Sequence, residues 1–111
     1  DQNLLGNAFA NPEVSGVLRE KFRDGVPFAG TSAGTAIMSE RMFTGEGDES
    51  AIRSTSFQLR DGLGLCDGVL FDQHFLMRQR QNRLFAAILS HPHLVGIGVD
   101  EGGSLAVESG V

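Results

Sequence analysis

The sequence predicts an α/β fold in which helices flank a largely parallel sheet. Short apolar runs of strand length alternate with amphipathic stretches of helical spacing, and glycine or proline residues separate them. The order is helix, strand, helix, strand, helix, strand, which is typical of parallel strands joined by helical crossovers. A length of 111 residues suits one compact domain, so we expect residues 1–111 to form a single α/β segment.

The first half of the chain predicts two helices and a strand. A helix is expected over residues 12–24, because Asn11 is a favourable N-cap and Pro12 suits the first helical position. Its apolar stripe consists of Val14, Val17, Leu18 and Phe22. The apolar run at residues 26–29 predicts a strand, and residues 33–41 predict a second helix.

The second half predicts the remaining elements of the sheet. Residues 43–56 are rich in Gly, Ser, Thr and acidic residues and indicate a surface loop. Strands are expected at residues 69–71, 94–99 and 104–107, with a helix over residues 77–90 between the first two. The expected core face of that helix consists of Leu84, Phe85, Ile88 and Leu89.

Composition and charge exclude several functional classes. The formal net charge of −5 argues against nucleic-acid binding, which usually requires a basic surface. No stretch approaches the roughly 20 apolar residues of a membrane span, so no membrane association is expected. Cys66 is the single cysteine, which excludes an intrachain disulfide and is compatible with a reducing compartment. We therefore expect a cytoplasmic protein, with secretion as the alternative.

The motif GTSAG, from Gly30 to Gly34, matches the pattern G-x-S-x-G between an expected strand and an expected helix. In that context the turn would expose the hydroxyl of Ser32. The N–H of Ala33, at the start of the helix, would be an oxyanion donor. A second interpretation is that Ser32 only caps the helix, as serine often does. A nucleophilic serine would also need a base and a group that orients the base.

Candidates for the base and the acid lie at the carboxyl ends of two expected strands. His74 follows the strand at residues 69–71, and Asp100 and Glu101 follow the strand at residues 94–99. In open α/β sheets, sites form at this edge. Either acid could hold the imidazole in the correct tautomer. A separation of about 2.6–3.2 Å between Ser32 Oγ and the His74 ring would support an enzyme.

A basic cluster follows the histidine. Arg78, Arg80 and Arg83 lie within a short segment after Asp72, near the amino end of an expected helix. Guanidinium groups bind carboxylates well. Cations at a helix N-terminus also oppose the helix dipole, so a purely stabilising role is less attractive. Solvated Arg–Asp pairs are the alternative interpretation.

Together, the segments GTSAGTAIMS, FDQHFLMRQRQNRL and HPHLVGIGVDE resemble the cyanophycinases, a branch of the peptidase S51 group, along essentially the whole chain. The resemblance implies a fold like that of the class I glutamine amidotransferases. It implies a catalytic triad of Ser32, His74 and Glu101, and so selects Glu101 over Asp100. The pocket residues that it implies are Gln2, Asp72, Gln73, Arg78, Arg80 and Arg83.

The resemblance further implies hydrolysis of cyanophycin, a poly-aspartate with arginine on each β-carboxyl, to β-Asp-Arg dipeptides. It implies no metal or organic cofactor and suggests a homodimer. The alternatives are a peptidase that acts on short aspartyl peptides, or a catalytically silent binding domain. In this family a Gly-Gly turn precedes the Asp-Gln pair that here is Asp1-Gln2. We therefore interpret the chain as a fragment, and we expect the first strands and part of the oxyanion hole to lie in a preceding segment.

Overall fold

The computed structural model describes residues 1–108 and shows a mixed α/β architecture, which confirms the predicted fold class. Its four helices are α1 (Gln2–Ala8), α2 (Pro12–Arg23), α3 (Ala33–Ala36) and α4 (Gln81–Ser90). Its four strands are β1 (Arg41–Phe43), β2 (Leu59–Asp61), β3 (Val69–Gln73) and β4 (Val95–Val99). No helix within these described residues is both long enough and apolar enough to cross a membrane.

The central feature is the parallel pair of strands β3 and β4. Their register runs from Val69 opposite Val95 to Gln73 opposite Val99. Helix α4 connects them, as parallel pairing requires a crossover rather than a tight turn. The predicted strand–helix–strand unit is therefore confirmed. Strands β1 and β2 form a separate antiparallel pair within the described residues, which was not predicted.

Helix α2 confirms its predicted start. The Asn11 side chain accepts a hydrogen bond from the N–H of Glu13 at 2.9 Å, and Pro12 occupies the first helical position. The predicted apolar stripe is only partly used. Leu18 and Phe22 pack against the core, whereas the two valines of the stripe are exposed.

Two predicted strands are absent from residues 1–108, and the helix predicted over residues 33–41 is shorter than expected. In the described part of the chain, no strand forms at residues 26–29 or at residues 104–107. A strand needs a hydrogen-bonded neighbour, and apolar character alone does not supply one. Helix α3 stops at Ala36 rather than residue 41, because the next carbonyls bond elsewhere. The carbonyl of Ile37 accepts from Leu63 N at 2.6 Å, and that of Met38 from Leu65 N at 2.9 Å. Helix α1 was not predicted.

Helix α4 begins later than predicted and presents a different face to the core. Gln79 has a positive φ of 52°, which interrupts the helix before Gln81. Leu84 is buried, but Phe85 and Leu89 are 54% and 75% exposed. The expected core face is therefore wrong for these two residues. The helix instead buries Arg83 and two alanines.

Two apolar clusters form the core. One packs α3 against the β1–β2 side of the molecule and contains Ala36, Ile37, Met42, Leu63 and Leu65. The other lies beneath the parallel strands and contains Phe43, Leu70, Leu84, Ala87 and Leu94. The second cluster packs α4 against β3, and the carboxyl end of β3 carries the residues discussed below.

Two leucines in helix α4 test the assignment of its buried face. We expect Leu84→Ala to lower the free energy of unfolding by about 2–5 kcal/mol, because it leaves a cavity in the core. The matched change Leu89→Ala should alter stability by less than about 0.5 kcal/mol, because that side chain is largely exposed. Urea unfolding of both variants measures the difference, and equal losses would contradict the assigned face.

Candidate active site

The sheet edge brings three polar residues together. Ser32 lies in the turn that enters α3, His74 follows the last residue of β3, and Glu101 comes two residues after the end of β4. Because β3 and β4 are parallel and Gln73 pairs with Val99, both strands end at the same level. The side chains that follow them therefore meet at one place.

The conformation of Ser32 excludes the capping interpretation. Its φ is 54° and its ψ is −120°, and its side chain makes no capping hydrogen bond to α3. Instead, the turn is held by Thr35, whose Oγ1 donates to the carbonyl of Gly30 at 2.9 Å. The hydroxyl of Ser32 is thereby left free to face the strand ends. A non-glycine residue in the left-handed region is uncommon and is often associated with function.

Ser32, His74 and Glu101 form a continuous hydrogen-bonded series. Ser32 Oγ lies 3.0 Å from His74 Nε2, and the other ring nitrogen, Nδ1, contacts Oε1 of Glu101. A carboxylate only accepts, so His74 Nδ1 carries the proton. The lone pair of Nε2 then faces the Ser32 hydroxyl, as a general base requires.

Asp100 has a different partner from Glu101. Its carboxylate accepts hydrogen bonds from the backbone N–H groups of Leu76, at 2.7 Å, and Met77, at 3.3 Å. Desolvation raises the pKa of Asp100, but these hydrogen bonds outweigh it, so the pKa lies below its usual value. Asp100 therefore holds the segment after His74, whereas Glu101 contacts the imidazole.

The N–H of Ala33 has no backbone acceptor among residues 1–108. Ala33 directly follows Ser32 and is the first residue of α3. This N–H is therefore available to an oxygen atom that develops negative charge next to Ser32 Oγ.

Gln73 and Gln2 lie behind the serine and are both buried. Oε1 of Gln73 is 3.3 Å from Ser32 Oγ, and Nε2 of Gln73 donates to Oε1 of Gln2 at 2.7 Å. Nε2 of Gln2 donates in turn to the carbonyl of Phe43 at 2.9 Å. The structure thus places Gln73 beside the serine and Gln2 one step further away.

The remaining predicted pocket residues form a buried charged network. The guanidinium of Arg83 makes two hydrogen bonds to the carboxylate of Asp72, and its Nη1 donates to Glu49 Oε1 at 2.9 Å. Arg80 donates from Nη1 to the carbonyl of Gln73, and its Nε lies 3.6 Å from Glu49 Oε1.

The network separates the three arginines. Burial lowers the pKa of Arg80, and the nearby positive charge of Arg83 lowers it further. Arg80 and Arg83 are buried, whereas Arg78 is exposed. Sequence reasoning missed Glu49, because it lies in the loop at residues 43–56, which carries no recognisable motif.

A cleft of about 740 Å³ opens in front of the serine, a size suited to a small ligand. Gln73, His74 and Glu101 line it together with Ser32. Its apolar wall includes Phe22, Phe28, Met38, Leu65, Phe71 and Val99. Five of the predicted pocket residues do not line this cleft within residues 1–108, namely Gln2, Asp72 and the three arginines of the basic cluster. In the same residues, no cluster of His, Cys, Asp and Glu is placed to hold a metal ion.

Gly30 and Gly34 provide a matched test of the serine turn. A Cβ at Gly30 would lie 2.3 Å from the carbonyl oxygen of Gly34, whereas a Cβ at Gly34 would meet no atom within 4 Å. We expect Gly30→Ala to destabilise the protein by about 1–3 kcal/mol through this clash. Gly34→Ala should be neutral or stabilise the helix by about 0.5–1 kcal/mol. Thermal unfolding of both variants measures this, and tolerance of Gly30→Ala would contradict the turn geometry.

The buried Asp72–Arg83 pair can be compared with the exposed Arg41–Asp61 pair. We expect Asp72→Asn to cost about 3 kcal/mol, the lower end of the range for breaking a buried pair, because Glu49 still faces Arg83. Asp61→Asn should cost less than about 1 kcal/mol, because both partners are solvated. Denaturant unfolding measures both changes, and similar losses would show that Asp72 is not in a low-dielectric environment.

Comparison with known proteins places the chain in a family. The model of peptidase family S51 matches residues 2–110. The chain is 38% identical over 102 residues to a cyanophycinase of Trichormus variabilis and 35% identical over 102 residues to one of Geminocystis herdmanii, covering 91% of this chain in both cases.

It is also 44% identical over 72 residues to a cyanophycinase of Synechococcus elongatus, covering 65% of this chain and 22% of that relative. The chain spans 34% of the length of the Trichormus protein and 38% of that of the Geminocystis protein. The family model covers nearly every residue, including all those that meet at the sheet edge, and the chain belongs to peptidase family S51.

Proposed function

We propose that the protein is a serine-type peptidase with Ser32 as nucleophile, His74 as general base and Glu101 as the residue that orients the base. The observation that carries this proposal is the 3.0 Å separation of Ser32 Oγ and His74 Nε2, with Glu101 on the other ring nitrogen. Membership of a peptidase family supports the reaction type.

In the first half-reaction, Ser32 Oγ attacks the carbonyl carbon of the scissile amide while His74 Nε2 takes the hydroxyl proton. The imidazolium that forms is stabilised by Glu101 across Nδ1. The negative charge on the carbonyl oxygen is held by the free N–H of Ala33. His74 then gives its proton to the leaving nitrogen, the C–N bond breaks, and an ester to Ser32 remains.

In the second half-reaction, water replaces the amine. His74 removes a proton from the water as its oxygen attacks the ester carbonyl. The same proton then returns to Ser32 Oγ as the C–O bond breaks. The net result is cleavage of one amide by one water molecule, with Ser32 and His74 restored to their starting states.

The substrate that we propose is cyanophycin, with β-Asp-Arg dipeptides as the product. The curated relatives at 35% to 44% identity are named cyanophycinases, and this supports the choice. Each unit of this polymer carries one carboxylate and one guanidinium. Arg78 follows His74 by four residues, is exposed, and makes no ion pair within the described part of the chain. We assign it to the substrate carboxylate ahead of Arg80 and Arg83, whose charges already face Asp72 and Glu49.

The first test of this function compares the full-length protein with its Ser32→Ala variant on insoluble cyanophycin. We expect release of soluble β-Asp-Arg by the wild type and a loss of about 10⁶-fold in the variant, as for other serine nucleophiles. Short aspartyl dipeptides are assayed in parallel. Hydrolysis of these alone would contradict the polymer as substrate, and equal rates for both proteins would contradict Ser32 as nucleophile.

The neighbouring acids provide a second, internally controlled test. We expect Glu101→Gln to lower kcat by about 10⁴-fold, because the amide can favour the wrong tautomer of His74. Asp100→Asn should change kcat little, because its oxygen can still accept from the N–H of Leu76. Steady-state kinetics of both variants distinguish them. A larger loss of kcat for Asp100→Asn than for Glu101→Gln would contradict the proposal that Glu101 orients His74.

A further inference from the structure

A buried chain of amide groups connects the backbone of strand β1 to the nucleophile. It runs from the carbonyl of Phe43 to Gln2 at 2.9 Å, from Gln2 to Gln73 at 2.7 Å, and from Gln73 to Ser32 Oγ at 3.3 Å. Both glutamines are buried, so water does not compete for these groups.

The carbonyl at one end determines the direction of every bond in this chain. A backbone carbonyl can only accept, so Gln2 must turn its NH₂ group towards Phe43. Oε1 of Gln2 therefore faces Gln73, and the NH₂ group of Gln73 must donate to it. The opposite orientation of either amide would place two acceptor oxygens in contact in a buried site, which is costly.

It follows that Gln73 presents an acceptor, Oε1, to the nucleophile. The hydroxyl of Ser32 has one proton and two acceptors, His74 Nε2 at 3.0 Å and Gln73 Oε1 at 3.3 Å. When His74 takes this proton, Oε1 of Gln73 loses its donor. A buried acceptor without a donor is unfavourable, so a donor from the substrate would restore it.

We propose that Gln2 is a positioning residue that keeps Gln73 Oε1 directed at the nucleophile, and that this oxygen accepts the N–H of the substrate residue whose carbonyl is attacked. The inference rests on the proposed serine peptidase reaction. It adds a requirement for an N–H donor on the acyl side of the scissile bond.

The geometry favours this N–H over the one in the scissile amide. Gln73 Oε1 and the attacked carbon both lie next to Ser32 Oγ, so only N–H groups close to that carbon can reach the oxygen. The scissile nitrogen must face His74 Nε2 to receive its proton. The nearest remaining N–H belongs to the residue that carries the carbonyl.

The experiment compares a β-aspartyl-arginine oligomer with an analogue in which this one N–H is replaced by N–CH₃. In the full-length wild-type protein we expect methylation to lower kcat/KM by about threefold to tenfold beyond its steric effect, the usual contribution of one hydrogen bond. The Gln2→Met side chain has the same length but no amide group. In this variant the side-chain amide of Gln73 is free to flip, so that its NH₂ group can face Ser32. The ratio of kcat/KM for the N–H oligomer to kcat/KM for the N–CH₃ oligomer should then fall to the value that the steric effect of the methyl group alone produces.

Gln73→Met removes the acceptor itself and should reduce the ratio equally. The control is Gln58→Met, an exposed glutamine outside the amide chain, which should leave the ratio unchanged. Loss of stability alone would lower activity on both substrates together, so it does not move the ratio. An unchanged ratio in Gln2→Met and Gln73→Met overturns the proposal.

Calorimetric measurement of the binding of both oligomers to the Ser32→Ala protein separates this inference from the proposed reaction. A tighter affinity for the N–H oligomer that disappears with Gln2→Met would support the role of Gln2 even without turnover. Equal affinities for the two oligomers, together with equal turnover, would overturn it. Absence of any hydrolysis by the wild type contradicts the proposed reaction instead.

Discussion

The in-register parallel pairing of β3 and β4 is the interaction on which the rest of the site depends. Because Gln73 lies opposite Val99, the chain leaves both strands at the same level, and His74 and Glu101 meet there. A shift of one residue would turn every side chain of one strand to the other face of the pair. The apolar cluster around Leu70 and Leu84 secures this register by packing α4 beneath the strands.

The site concentrates backbone strain that the surrounding contacts support. Ser32, His74 and Gln79 all have positive φ, and such non-glycine conformations cost on the order of 1–3 kcal/mol each. Two charged residues hold the segment between His74 and Gln79. Asp100 accepts from the N–H groups that follow Phe75, and Arg80 donates to the carbonyl that precedes His74. The partly exposed Asp100 and the buried Arg80 therefore hold the conformation of the segment that follows β3.

The amide chain and the charged network have different relations to the cleft. Gln73 belongs to both, since its side chain reaches Ser32 and its carbonyl accepts from Arg80. The network around Arg83 and Asp72 lies on the far side of β3, where Glu49 joins it. Arg80 and Arg83 therefore face Asp72 and Glu49, whereas Arg78 is exposed and makes no ion pair within residues 1–108.

Local chemistry by itself determined much of this protein. The cap at Asn11, the glycines around Ser32 and the polar residues at the two strand ends act over a few residues, so the start of α2 and the positions of the candidate residues could be predicted. The residues alone left Asp100 and Glu101 open, and the family resemblance implied Glu101. The tertiary structure shows that Glu101 contacts His74 whereas Asp100 contacts the backbone, because the position of each carboxylate depends on how two strands pair. It also decided that Leu89 is exposed and that Glu49 joins the buried arginines. These outcomes depend on contacts between distant segments, and no spacing within a single segment encodes such contacts.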